Sequence, residues 1–320
     1  MSTKKKNSKS TTLISLFLTV LALFIIYMAI EKRNSLPDEA PDTGDEVIMV
    51  IDRTAADVSE ITYRIADGET YTFHHNATTG AWAYADEVHY PLNQTTVASM
   101  ASAICRIGAY RHLEDGDTGV YGFDKPSLTV SVSYADGAVH SYAVGDVNTA
   151  SGYRYFKDVD TGAVYTIAAT LYEYFDYTLD DLFVYDTLPA DIEVDYITSV
   201  TLADSTGSTE ITDADGIASV YEAYTALAPT AYADPYADEE ESAAYGIGSL
   251  TLTVAYMREV AVSADSGSAS TTRIPVTFTI SFGNSAEDGR VYYKLSESDV
   301  VYLAETEDVD ALMKAFTEPA

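Results

Sequence analysis

Leu128-Thr-Val-Ser-Val-Ser-Tyr134 is the stretch whose reading decides the fold class. Leu128, Val130, Val132 and Tyr134 occupy every second position, with hydroxyl side chains between them. Successive strand residues point to opposite faces, so this alternation describes a strand buried on one face and wet on the other, as in antiparallel sheets. Asp136-Gly137 follows, before a second run of the same kind, and that pair suits the tight turn of a hairpin.

Working outward, the order of segments around this strand occurs twice. In the first copy Ile61-Thr-Tyr-Arg-Ile-Ala-Asp67 leads to a helical stretch, 97–107, then Tyr121-Gly122 and the strand 128–134. Gly145-Asp146, Tyr155-Phe-Lys157, Val164-Tyr165 and a short helix ending near Phe175 complete it. In the second copy Ile197-Thr-Ser-Val-Thr-Leu-Ala-Asp204 leads to a helical stretch, 217–224, then Tyr245-Gly246 and Leu250-Thr-Leu-Thr-Val-Ala-Tyr256. Phe282-Gly-Asn284, Tyr292-Tyr-Lys294, Val301-Tyr302 and a helix over 311–316 close it. This order predicts an internal duplication into modules at 51–186 and 187–320. Each is expected to be a mostly antiparallel sheet with packed helices, an α+β arrangement. The first copy carries an extra hairpin-like region, 71–90, which holds the single tryptophan, Trp82; the second carries an acidic insertion, 234–242.

Charge separates the N-terminus from the rest. Six of the 18 basic residues lie in the first 33 positions, and from Asn34 onward 12 basic residues face 49 acidic ones. A surface of that sign repels nucleic acid and anionic lipid, and favours cations or a basic protein partner. Residues 13–30, LISLFLTVLALFIIYMAI, carry no charge. As a helix they span about 27 Å, enough for a bilayer core. No Ala-x-Ala cleavage site follows, so the segment reads as an uncleaved anchor. Four lysines in the tail 1–12 precede it and Lys32-Arg33 follow, which places the N-terminus in the cytoplasm and the remainder outside. Residues 31–50 are expected to form a polar stalk, with Pro37, Pro41 and five acids between 34 and 46.

The run Tyr121-Gly-Phe-Asp-Lys-Pro-Ser-Leu-Thr-Val130 resembles a signature of the bacterial family of domain of unknown function 4340. Gly145-Asp146, Tyr155-Phe-Lys157 and Phe175-Asp-Tyr-Thr-Leu-Asp-Asp-Leu182 resemble others, and the resemblance covers most of residues 50–315. It implies a membrane helix and an exported domain. It also implies a role as accessory subunit of a membrane complex, since such proteins are often encoded beside ABC-transporter components. No catalytic residues are established for that family, so none is carried over.

The residues themselves assign no catalytic, cofactor-binding or metal site, and no cofactor is expected. His74 and His75 are adjacent and would face opposite sides of a strand; His89, His112 and His140 have no ligand spacing. Glu114-Asp-Gly-Asp117, Asp158-Val-Asp160 and Asp213-Ala-Asp-Gly216 are fragments of a calcium loop, which turn chemistry also explains. Cys105, the one cysteine, sits where a small buried helix residue is expected. There is no Gly-x-Ser-x-Gly elbow, and Tyr245-Gly-Ile-Gly-Ser249 leads into a strand, unlike a dinucleotide fingerprint. Asn76-Ala-Thr78 and Asn93-Gln-Thr95 fit the glycosylation sequon at chance frequency. The 26 tyrosines suit strand packing and interfaces. The function expected is therefore a non-enzymatic accessory or scaffold protein with a protein partner at the membrane. A module binding cell-wall or extracellular polysaccharide is the alternative.

Overall fold

The computed structural model describes residues 47–114, 119–189, 192–263 and 269–317. The membrane helix expected at 13–30, the tail before it and most of the stalk lie outside the described residues. Among the described residues no helix is long and apolar enough to cross a membrane.

Nine strands build the first sheet: β1 (Ile48–Asp52), β2 (Val58–Ile65), β3 (Thr70–Asn76), β4 (Ala81–Tyr84), β5 (Arg106–Leu113), β6 (Leu128–Tyr134), β7 (Val139–Val147), β8 (Arg154–Asp158) and β9 (Val164–Ile167). Their order across it is β1-β5-β9-β8-β7-β6-β2-β3-β4. Seven more build the second: β10 (Ile197–Asp204), β11 (Gly207–Ile211), β12 (Tyr232–Asp234), β13 (Leu250–Ser263), β14 (Ala269–Ser285), β15 (Val291–Leu295) and β16 (Val301–Ala304). These run β11-β10-β13-β14-β15-β16-β12. Each of the fourteen neighbouring pairs is antiparallel.

The two orders align strand for strand. Reading from β3, the series β3-β2-β6-β7-β8-β9-β5 occupies the places of β11-β10-β13-β14-β15-β16-β12. Only the outer strands β4 and β1 have no counterpart. The hairpin-like region at 71–90 is thus only half additional, since β3 corresponds to β11. That strand escaped the sequence reading because four of its five residues are exposed and its sequence, Gly-Ser-Thr-Glu-Ile, has no apolar alternation. β1 likewise begins at Ile48, inside the stretch read as stalk.

Five helices are described: α1 (Gln94–Ile104), α2 (Thr170–Glu173), α3 (Ala214–Thr225), α4 (Glu239–Ala244) and α5 (Thr306–Thr317). They are few beside sixteen strands, so the described chain is mostly β. α1 ends three residues before the expected 107, because Arg106 and Ile107 pair with Asp52 and Ile51 as the start of β5. Its N-terminus is set by Asn93, whose side chain accepts from Thr96 N, and that of α3 by Asp213, which accepts from Gly216 N. α1 buries Val97, Met100, Ala101 and Ile104. α3 and α5 pack together, burying Ile217, Val220 and Tyr224 from one and Leu312 and Phe316 from the other. The alternation in β6 is realised in full, with Leu128, Val130, Val132 and Tyr134 all buried.

The segment between the sheets is held by its own apolar and aromatic residues. Phe175 and Leu182 are fully buried, and the ring of Phe183 stacks on Tyr232 at 4.0 Å. Tyr63 Oη donates to the Tyr177 carbonyl at 2.8 Å and Tyr90 Oη to that of Leu179 at 2.9 Å. The Asp181 carboxylate accepts from both the N–H and the hydroxyl of Thr178, which holds its pKa below the usual carboxylate range.

Candidate functional site

The second sheet departs from the first at one hairpin. β6 and β7 close through a turn at Asp136-Gly137, whereas β13 and β14 run on together beyond the sheet. β10 pairs with β13 only as far as Tyr256, and β15 pairs with β14 only from Ile280 onward. The pairs from Met257↔Pro275 to Ser263↔Ala269 therefore form a two-stranded arm. Seven pairs at ~3.3 Å per residue give it a length of about 23 Å. Directly paired residues share a face, so the buried row Leu252, Val254, Tyr256 and Ile280, Phe278 continues outward through half-buried Val276 to Arg258, Val260 and Ile274. Ile274 is 40% exposed. On the opposite face Arg273 donates to Glu259 at 2.9 Å and lies over the Tyr196 ring at 4.3 Å.

A cleft of about 290 Å³ opens at the root of the arm. It lies between residues 276–278 of β14, the 295–298 turn and the connecting segment at 186–189, and Tyr256 and Arg258 also line it. Arg258 Nη2 donates to Tyr256 Oη at 2.8 Å. Asp186 accepts from Tyr302 Oη at 2.8 Å, and burial raises that phenol's pKa. The turn is closed by Ser298 N donating to the Leu295 carbonyl at 3.3 Å. Glu297, its third residue, has φ of 66°, in the left-handed region where glycine or asparagine is the easier choice. A carboxylate stands at the cleft at the cost of backbone strain.

The residues singled out for chemistry are dispersed. His74 lies 3.2 Å from Glu60, while His75 turns the other way, stacking on Trp82 at 4.7 Å. His89 stacks on Tyr236, His112 packs at a tilt against Tyr165 at 5.0 Å, and His140 lies 3.7 Å from Asp160. Among the described residues no three His, Cys, Asp or Glu side chains converge as metal ligands. Asp158 accepts from Asp160 N and Thr161 N, and Asp160 from Ser141 N, as turn residues do. Of Glu114-Asp-Gly-Asp117 only Glu114 is described. Asn76 accepts from Thr78 N and Thr79 N, so both sequon asparagines have structural partners. Cys105 is buried, its thiol pushed up by that burial, and its Sγ is 3.9 Å from Tyr134 Oη. Tyr63, Tyr256, Tyr293 and Tyr302 are fully buried.

The residues of the quoted motifs meet in a clasp. The N–H of Asp146 donates to the Tyr121 carbonyl at 2.8 Å, drawing the 119–127 loop onto β7. Gly145 permits it, since a Cβ there would lie 2.0 Å from that carbonyl oxygen. Tyr121 packs on Tyr155 at 4.3 Å, and Lys157 Nζ sits 5.6 Å over the Phe123 ring. The second sheet holds the same arrangement. Asn284 N donates to the Tyr245 carbonyl at 2.8 Å, a Cβ on Gly283 would lie 2.4 Å from it, and Tyr245 packs against Tyr292 at 4.9 Å. Tyr245-Gly-Ile-Gly-Ser249 is thus the second clasp, leading into β13.

Residues 82–236 match DUF4340, a domain of unknown function. The match supports that family for this chain. It takes in the first clasp, the connecting segment and the helices α1 and α3. The motif residues of the DUF4340 stretch serve loop attachment and core packing, and the description of the family names no activity. The arm and its cleft lie largely beyond the matched residues. No curated protein and no solved structure matches the chain.

The sequence reading missed the arm, although a signal was present. Ala-Asp-Ser-Gly-Ser at 264–268 separates Val260-Ala-Val262 from Thr271-Thr272 and Ile274-Pro-Val276, which is hairpin punctuation between β-formers.

Proposed function

We propose that this chain is a non-enzymatic accessory or scaffold subunit of an ABC-transporter-type membrane complex. Residues 13–30 would anchor it as a single-pass protein with its N-terminus in the cytoplasm. The acidic modules at 51–186 and 187–320, descended from one duplicated unit, would stand outside. The uncharged segment and the basic residues before it support the placement, and the shared strand order and paired clasps support the duplication.

The arm is the observation that carries the interaction reading. The two-stranded ribbon of seven residue pairs has no described residue in the buried core, yet it exposes strand edges and Ile274. Open strand edges are natural templates for another chain. The test is affinity purification of the full chain from native membranes in mild detergent. Transport-type membrane subunits should co-purify at fixed stoichiometry; recovery of the chain alone would refute the reading.

A further inference from the structure

We infer that the cleft at the root of the arm binds a short extended segment of a partner protein, carrying a lysine or arginine, by strand addition to the outer edge of β14. This rests on the interaction reading above and specifies its mode and chemistry.

Hydrogen-bond parity decides which groups are available. Thr279 N donates to Ser296 Oγ at 3.1 Å and its carbonyl accepts from Ser296 N at 2.8 Å, so the main chain of Thr279 points away from β13. Alternate residues of an antiparallel strand point the same way, which directs Thr277, Pro275 and Arg273 outward too. Beyond Ser296 the chain turns away through Glu297, and among the described residues nothing pairs with Thr277 on that side. Its N–H and carbonyl therefore line the cleft as an unused donor and acceptor. In the first sheet Ser141, the counterpart of Thr279, is paired in the same way: it accepts from Val159 N at 2.9 Å and donates to Asp160. The hairpin there turns immediately beyond Val139, the counterpart of Thr277. What distinguishes the second sheet is that β14 runs on past this point, so the open edge extends beyond Thr277.

Pro275 limits what can bind. Lacking an N–H on the outward side, it interrupts the ladder one pair beyond Thr277, so a long strand cannot zip along the arm. A segment of about three or four residues fits such an edge. Charge selects its chemistry. The Asp186 and Glu297 carboxylates line the cleft, and Arg258 is turned to Tyr256 Oη. The formal charge of the chain, −32, disfavours a second copy and attracts a basic segment.

The test uses the full chain in native membranes, with a benzophenone side chain placed at Thr277 or, as control, at Val139 in the first sheet. A photo-adduct at 277 should map to a partner segment bearing Lys or Arg. Thr277→Pro, which removes the outward N–H and leaves the hydrogen bonds to β13 to its neighbours, should halt partner retention, and Glu297→Gln should lower it about two- to fivefold, as for a partly exposed ion pair. Circular dichroism of each variant confirms folding. An adduct from Val139 but not from 277, an adduct between two copies, or one mapping to an acidic segment would overturn the inference while leaving a binding role. No adduct from either position, with the chain recovered alone, would overturn both.

Discussion

Replacing Gly145 by alanine tests whether the clasp holds the first sheet together. The added Cβ would sit 2.0 Å from the Tyr121 carbonyl oxygen, where contacts below 3.0 Å are essentially never tolerated. The obstacle is main chain, so no rotamer change relieves it. Loop and strand must part by about an ångström, an overpacking cost of about 1–3 kcal/mol. The Asp146 N to Tyr121 hydrogen bond, 2.8 Å long, would be lost with it, at about 1 kcal/mol more. The expected loss is about 2–4 kcal/mol. Gly137→Ala is the comparison: its φ is 85° with nothing within 4 Å of a Cβ, so only backbone strain of about 1–2 kcal/mol applies. Urea unfolding followed by the fluorescence of Trp82 reads this directly, since the one tryptophan is buried in the first sheet. Gly283→Ala should destabilise similarly, seen by circular dichroism. A loss below about 0.5 kcal/mol for Gly145→Ala, the level of an ordinary surface change, would refute the clasp.

Further outcomes follow from the same geometry. Asn93→Ala and Asp213→Ala should each cost about 1 kcal/mol as lost helix caps, with no calcium dependence of the unfolding midpoint; a calcium-induced rise abolished by Asp213→Ala would show a site instead. Cys105, buried with a raised pKa, should resist alkylation in the native chain and react at once in denaturant; rapid native labelling would contradict its placement. Burial raises the phenol pKa of Tyr63, Tyr293 and Tyr302 above the ordinary 10.0. Their stabilisation is therefore complete below that pH and is lost as pH climbs above it toward the folded-state values. Tyrosinate absorbance should accordingly rise in a cooperative step with unfolding, not in independent titrations near pH 10.

Sequence made the strands legible where one face is buried and the other wet. Leu128 to Tyr134 and Ile197 to Asp204 were bounded correctly because apolar alternation and the sheet ladder coincide there. β11 was invisible because it hardly enters the core, and the first two residues of β5, Arg106 and Ile107, were read as helix because they continue the apolar spacing of α1. The motif glycines could be located but not explained, since Gly145 matters through a carbonyl 24 positions earlier. The cleft was beyond reach for a related reason. It is assembled from 186–189, 276–278 and 295–298, and its open edge at Thr277 is a matter of strand pairing among the described residues, which no residue pattern announces.

The most direct test of the account exchanges the arm for the first sheet's own turn. Residues 257–275 are replaced by Ala-Asp-Gly, the three residues at 135–137 that close β6 to β7, which keeps Tyr256 paired with Val276. The account predicts a chain that unfolds at the same midpoint within a few degrees, about the effect of 1 kcal/mol, stays in the membrane fraction and loses its co-purifying partner. A chain that folds equally well and keeps its partner in full would contradict the assignment of the arm as the binding element.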